Sequence, residues 1–153
     1  MAFLTGRGPR IRVPGGGISK IDNWTDWTPD WFVNGTPYLG GTLDGSYIIQ
    51  TTADDSHLIH LVLQATVGAG LPAGTWAFNV PLHSVWHSQG AGGAFMERSG
   101  GGGPFQIGVV ALSNGDFGGI GVLCVDGSIV DDTHPWAWAS GDILTWSMYL
   151  RQF

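Results

Sequence analysis

The chain is short of the residues that build disulfide frameworks, metal clusters and charged surfaces. It has one cysteine, Cys124, so no intrachain disulfide can form. Flanked by Leu123 and Val125, that cysteine reads as a small buried apolar residue, with no setting that would lower its pKa. Glutamate occurs once, at Glu97, and charged residues make up 12% of the chain, about half the roughly 25% of an ordinary soluble domain. A surface so poor in charge is not all free surface. The apolar runs, such as 107–112 and 120–125, are far shorter than the roughly 20 residues of a membrane helix, so no membrane insertion is expected. The first residues, Met1 to Arg7, lack the basic start and long apolar stretch of a secretion signal, which predicts synthesis in a host cytoplasm.

Glycine and aromatic rings are abundant instead. The 26 Gly and 8 Pro interrupt helices throughout and exclude a helical protein. Hydrophobic residues at 43% suffice for a core, and 153 residues suit one domain with an arm. Charge is divided along the chain. Residues 1–21 carry Arg7, Arg10, Arg12 and Lys20 and no acid, whereas residues 22–153 sum to −10. Residues 1–22 therefore read as an extended basic arm, punctuated by Gly6, Gly8, Pro9, Pro14 and Gly15 to Gly17. Within it Ile11 and Val13 alternate with Arg10 and Arg12, the period-two pattern of a strand lying on a surface. The residues expected to anchor the arm to a partner are Arg7, Arg10, Ile11, Arg12, Val13 and Lys20. Nucleic acid is not the expected partner, because a body at −10 repels phosphates.

From residue 23 to residue 153 the text is short strands between Gly, Asp, Asn and Pro turns, the pattern of an antiparallel all-β sandwich. About eight strands are expected in this body. Residues 42–51 and 57–67 predict a hairpin across the polar stretch Thr52 to Ser56. Both faces of 57–67 are apolar, so this strand is central or lies between copies. Further strands are expected at 75–80, 85–88, 94–98, 105–113, 119–125 and 143–153, the 105–113 and 119–125 pair joined at Asn114-Gly115. In the last strand Leu144, Trp146, Met148 and Leu150 form the apolar side.

Catalytic chemistry finds little footing. Asp54-Asp55 and Asp131-Asp132 are adjacent pairs on extended chain, which point to opposite sides and suit turns better than a general acid and nucleophile. His83 and His87 are four apart, too distant along a strand to share one ion, and His57 and His60 fall on opposite faces. No catalytic residue, metal site or cofactor is expected. The eight Trp are the richer signal: most belong in the core or between subunits, and Trp86 and Trp136 are candidates for exposed rings that stack on glycans.

The segment Trp24-Thr25-Asp26-Trp27-Thr28-Pro29-Asp30-Trp31 resembles the opening signature of the C-terminal β-domains of many tailed-phage tail-fibre and minor tail proteins. The likeness continues through Gly41 to Tyr47, residues 57–67, Phe78-Asn79-Val80-Pro81, and the ending Gly141-Asp142-Ile143-Leu144 with Tyr149. It covers the chain from about residue 24 to its end, with 82–118 matching in strand texture alone. The resemblance implies a jelly-roll-like sandwich that assembles as a homotrimer on a virion and in some cases binds host-surface sugars. Its family positions here are Trp24, Trp27, Thr28, Pro29, Trp31, Gly141, Asp142 and Tyr149. The expected function is that of a non-enzymatic virion structural protein, a minor tail or tail-fibre type protein joined to other virion proteins by its arm. A capsid decoration protein and a carbohydrate-binding module without catalysis are the alternatives.

Overall fold

The computed structural model describes residues 18–21, 23–53, 56–79, 88–100, 105–112 and 120–152. All regular structure among them is strand. The polar stretch after Thr52 joins β5 (Thr42–Thr52) to β6 (His57–Thr66) in full antiparallel register, from Thr42↔Thr66 to Thr51↔His57. The other edge of β6 is taken by the closing strand β11 (Ile143–Gln152), which on its far side pairs with β8 (Ser88–Glu97). Beyond β8 lie β9 (Phe105–Leu112), β10 (Ile120–Cys124), β7 (Trp76–Phe78), β3 (Trp31–Val33) and β4 (Thr36–Pro37), in that order. At the opposite edge β5 is shared by β1 (Ile18–Ile21), which pairs with residues 50–52, and β2 (Thr25–Trp27), which pairs with residues 45–47. Every pairing is antiparallel.

This single sheet curls on itself. Trp146, in the middle of the strand order, meets Trp27 from one end and Phe78 from the other, each with ring centroids 6.1 Å apart. One face of every long strand therefore points into a common interior. Ile59, Leu61, Leu63 and Ala65 of β6 and Leu144, Trp146, Met148 and Leu150 of β11 are all buried there, each large apolar side chain contributing about 1.5–3 kcal/mol of transfer free energy. Trp31, Tyr38, Trp76, Phe78 and Trp138 complete the interior as a chain of tilted and edge-on ring contacts. Among the described residues, three indole N–H groups, those of Trp31, Trp76 and Trp146, are buried without an acceptor. Ring volume outweighs the unmet hydrogen bonds at these positions, since burying so large a side chain gains more than one lost neutral bond costs.

The expected all-β antiparallel class is the observed one, and the central place of β6 and the pairing of β9 with β10 match the sequence reading. Among the described residues the body from residue 23 onward has ten strands rather than about eight, with β1 ahead of it, because the tryptophan-rich opening contributes short strands of its own. One of them, β3, turns into β4 through Asn34-Gly35, both at positive φ, the geometry a two-residue hairpin requires. Two boundaries move. The strand expected at 94–98 is the second half of one ten-residue β8, Ser88–Glu97, which also takes in the last residue of the strand expected at 85–88, whose other residues lie outside those described. Residues 18–21, assigned to the arm, pair with β5. The expectations for Arg7, Arg10, Ile11, Arg12, Val13, Trp86, His83, His87, Asp54-Asp55 and Asn114-Gly115 fall outside the described residues.

Candidate functional site

The opening motif distributes its three rings between two faces of the sheet. On extended chain, residues three apart point to opposite sides, and so Trp27 is buried in the interior whereas Trp24 is 51% exposed on the outer face. Trp31 lies in the core with Pro29 buried near it in sequence, and Thr28 is exposed. Asp30 and Asn79 clip this segment to β7: the Asp30 amide donates to Asn79 Oδ1 at 2.7 Å and Asn79 Nδ2 donates to Asp30 Oδ2 at 2.8 Å. Thus two segments far apart in sequence touch in space.

The Gly141-Asp142 ending is a structural hub. Asp142 is buried and its carboxylate accepts from the Ser99 amide at 2.7 Å, the Ala139 amide at 2.9 Å and Trp136 Nε1 at 3.3 Å. Burial raises the pKa of this carboxyl, but the donors from Ser99, Ala139 and Trp136 outweigh it and hold the group below its ordinary value. Gly141 takes φ 94° at the tight turn into β11, a conformation that glycine reaches without strain. Trp136, expected as an exposed ring, is 8% exposed. It packs on Trp138 at 5.3 Å and under the Arg98 guanidinium at 5.4 Å, so neither face is free for a sugar. The second aspartate pair does turn work: Asp131 accepts from the amides of Thr133 and His134, and Asp132 from that of Gly74. Cys124 is buried, and burial pushes its thiol pKa up.

What sequence patterning did not single out is the outer face of the sheet. Residues directly opposite in antiparallel register share a face. By that rule Ile48, His60 and Tyr149 stand in one row and Asp26, Ser46, Val62, Ser147 and Gly93 in the next. Trp24 reaches across to His60, ring centroids 5.3 Å apart at 62°, and His60 stacks on Tyr149 at 4.3 Å and 12°. His60 Nε2 is fixed by Ser147 Oγ at 2.8 Å, and burial lowers the imidazole pKa, favouring the neutral ring at neutral pH. Tyr149 is 52% exposed. The side chains of Asp26, Ser46 and Tyr149 make no hydrogen bond with the described residues.

Across β8 the same face changes character. Phe95 opposes Ile107 and Val109 opposes Leu123. Ile107 is 60% and Val109 53% exposed, and Phe95 is partly exposed as well. Neither β9 nor β10 contains a charged residue; the nearest acid on this face, Glu97, lies at the end of β8. The outer face thus has two parts, an aromatic row bordered by polar groups on β2, β5, β6 and β11, and an apolar strip on β8, β9 and β10 that carries no charge on β9 or β10. Lys20 lies on neither, at the β1 edge opposite Thr51. No group of side chains suited to hold a metal ion occurs among the described residues. Comparison of the chain with family models, curated proteins and solved structures finds no match.

Proposed function

We propose that this protein is a non-enzymatic structural subunit of a tailed-phage virion, a homotrimer displayed on the particle and joined to other virion proteins by its basic N-terminal segment. In this reading the curled sheet is a jelly-roll-like sandwich of the kind found in tail-fibre and minor tail proteins. The observation that carries it is the apolar strip of β8, β9 and β10, with Phe95, Ile107 and Val109 exposed and no charge on β9 or β10. An exposed, contiguous apolar surface is costly in an isolated monomer and marks an interaction site. Copies of a chain with net charge −6 repel one another except where acids are absent, and interface centres are depleted of charge. A second copy of this chain is therefore the occupant that the strip fits, and closed rings are the common outcome for such like subunits. The opening tryptophan motif and the Gly-Asp ending, which carry the phage-domain resemblance, support the virion assignment.

The test combines mass and incorporation. Light scattering on the purified chain is expected to give three times the mass of one chain. Because residues 18–21 pair with β5, the truncation that isolates the arm removes residues 1–17 and leaves β1 in place. That variant is expected to remain a trimer and to be lost from particles assembled in its presence. A monomeric full-length chain, or normal incorporation of the truncated one, defeats the corresponding half of the reading.

A further inference from the structure

We infer that Trp24, His60 and Tyr149 form a platform for a neutral saccharide on the outer face of the β2, β5, β6 and β11 limb. This stands independently of the virion reading and concerns the half of the face that the apolar strip does not occupy. Three rings in contact, two of them about half exposed, are an unusual thing to leave in water when the interior of the same sheet holds six of the eight tryptophans. Their arrangement is pre-organised. His60 is held at Nε2 by Ser147 and on its ring face by Tyr149, and Trp24 is turned 62° to it. The result is a corner of two ring planes rather than a flat apolar sheet.

Such a corner suits a ligand with one apolar face and a hydroxylated rim. The C–H face of a pyranose stacks on an aromatic ring, and its hydroxyls need donors and acceptors set around that ring. Those groups are present: the Asp26 carboxylate and the Ser46 hydroxyl are one row away on the same face, and the Tyr149 hydroxyl stands on the platform itself. None of the three has a partner among the described residues, so a bound sugar would meet groups that have no competing bond to break there. The neutral imidazole adds one donor or acceptor at Nδ1. A protein surface is the poorer fit, because Asp26 and Asp44 lie on this limb and would be buried without a described cation opposite. The same acids, on a chain of net charge −6, disfavour sialic and uronic acids and select neutral hexoses or N-acetylhexosamines.

Saturation-transfer NMR on the full chain with cellobiose, lactose and N,N′-diacetylchitobiose, and with 3′-sialyllactose as the acidic comparison, tests this. At least one neutral disaccharide is expected to receive saturation at its ring C–H protons, more strongly than the sialylated sugar. Trp24→Ala and Tyr149→Ala are each expected to reduce that signal at least fivefold while the melting temperature and the solution mass stay at the parent values. Tyr149→Phe, which keeps the ring, is expected to retain most of it. Absence of transfer to every neutral sugar, or equal signals from the parent and both alanine variants, overturns the platform. Should an alanine variant melt early, Trp24→Gln and Tyr149→Gln replace it and the same loss is required. The mass of the assembly is read separately, so loss of the trimer and loss of the sugar site are distinguishable.

Discussion

At the scale of single residues, Asp142 shows how a position can look functional and be architectural. A buried carboxylate with perturbed ionisation is often a sign of chemistry, but every bond that Asp142 accepts comes from the turn that leads into β11 and from the Ser99 amide beyond β8. Replacing it by Ala leaves the Ser99 and Ala139 amides without an acceptor, and the expected loss is about 3 kcal/mol or more by chemical denaturation. Asp142→Asn keeps one acceptor oxygen and is expected to cost less. Because the folded pKa lies below the ordinary 3.8, the folded chain holds fewer protons than the unfolded one near that pH. The stability this provides is complete above about pH 5 and drains away as pH falls through the folded value. Melting curves at pH 5 and pH 3 are therefore expected to differ less for Asp142→Asn than for the parent, and an identical acid loss in both would remove Asp142 from the account. Asp126 and Asp131 are also held low and supply the acid sensitivity that remains in the variant.

At the scale of elements, β8 is the strand that propensity alone would miss. Its text, Ser-Gln-Gly-Ala-Gly-Gly-Ala-Phe-Met-Glu, is rich in the residue least suited to a strand interior. It is a strand because β9 and β11 pair with it on both sides. Its adjacent glycines serve different ends. A Cβ on Gly92 would fall on the Ser147 carbonyl and on Met148, whereas one on Gly93 would meet open space. Gly92→Ala is expected to destabilise by about 2 kcal/mol or more through overpacking. Gly93→Ala is expected to be neutral or to gain up to about 1 kcal/mol from reduced freedom of the unfolded chain. Urea titrations of the two variants side by side read the difference, and equal midpoints would contradict the register of β8 on β11.

For the whole molecule, the question is what becomes of the surface that a single curled sheet turns outward. Ile107 and Val109 are exposed in one chain, so charge placed there meets water in a monomer and apolar surface in an assembly. Ile107→Lys combined with Val109→Lys is expected to leave the subunit folded and to reduce the solution mass to that of one chain at micromolar concentration. A pair of lysines that leaves the mass unchanged would overturn the proposal that copies meet on this strip.

Composition and period were enough to settle the class of fold. Glycine and proline exclude helices, the two-residue alternation of 143–150 orients the core side of β11, and the two-sided apolarity of 57–67 marks a strand that is central or between copies, the first of which the pairing with β5 and β11 realises. These are local properties, carried by each segment whatever it pairs with. The fate of each ring was not local. Trp24 was read as a motif position and Trp136 as an exposed ring, yet the first is outside and the second is sealed by Asp142, Trp138 and Arg98. His60 carried no sequence signal beyond its place on the second face of a strand. It became part of a ring stack because the last strand of the chain lies beside the sixth, bringing Tyr149 to it across 89 residues. Pairing between strands distant in sequence, and the curl that decides which face closes, are set by the packing of the whole chain, and that is where the outer face acquired its two parts.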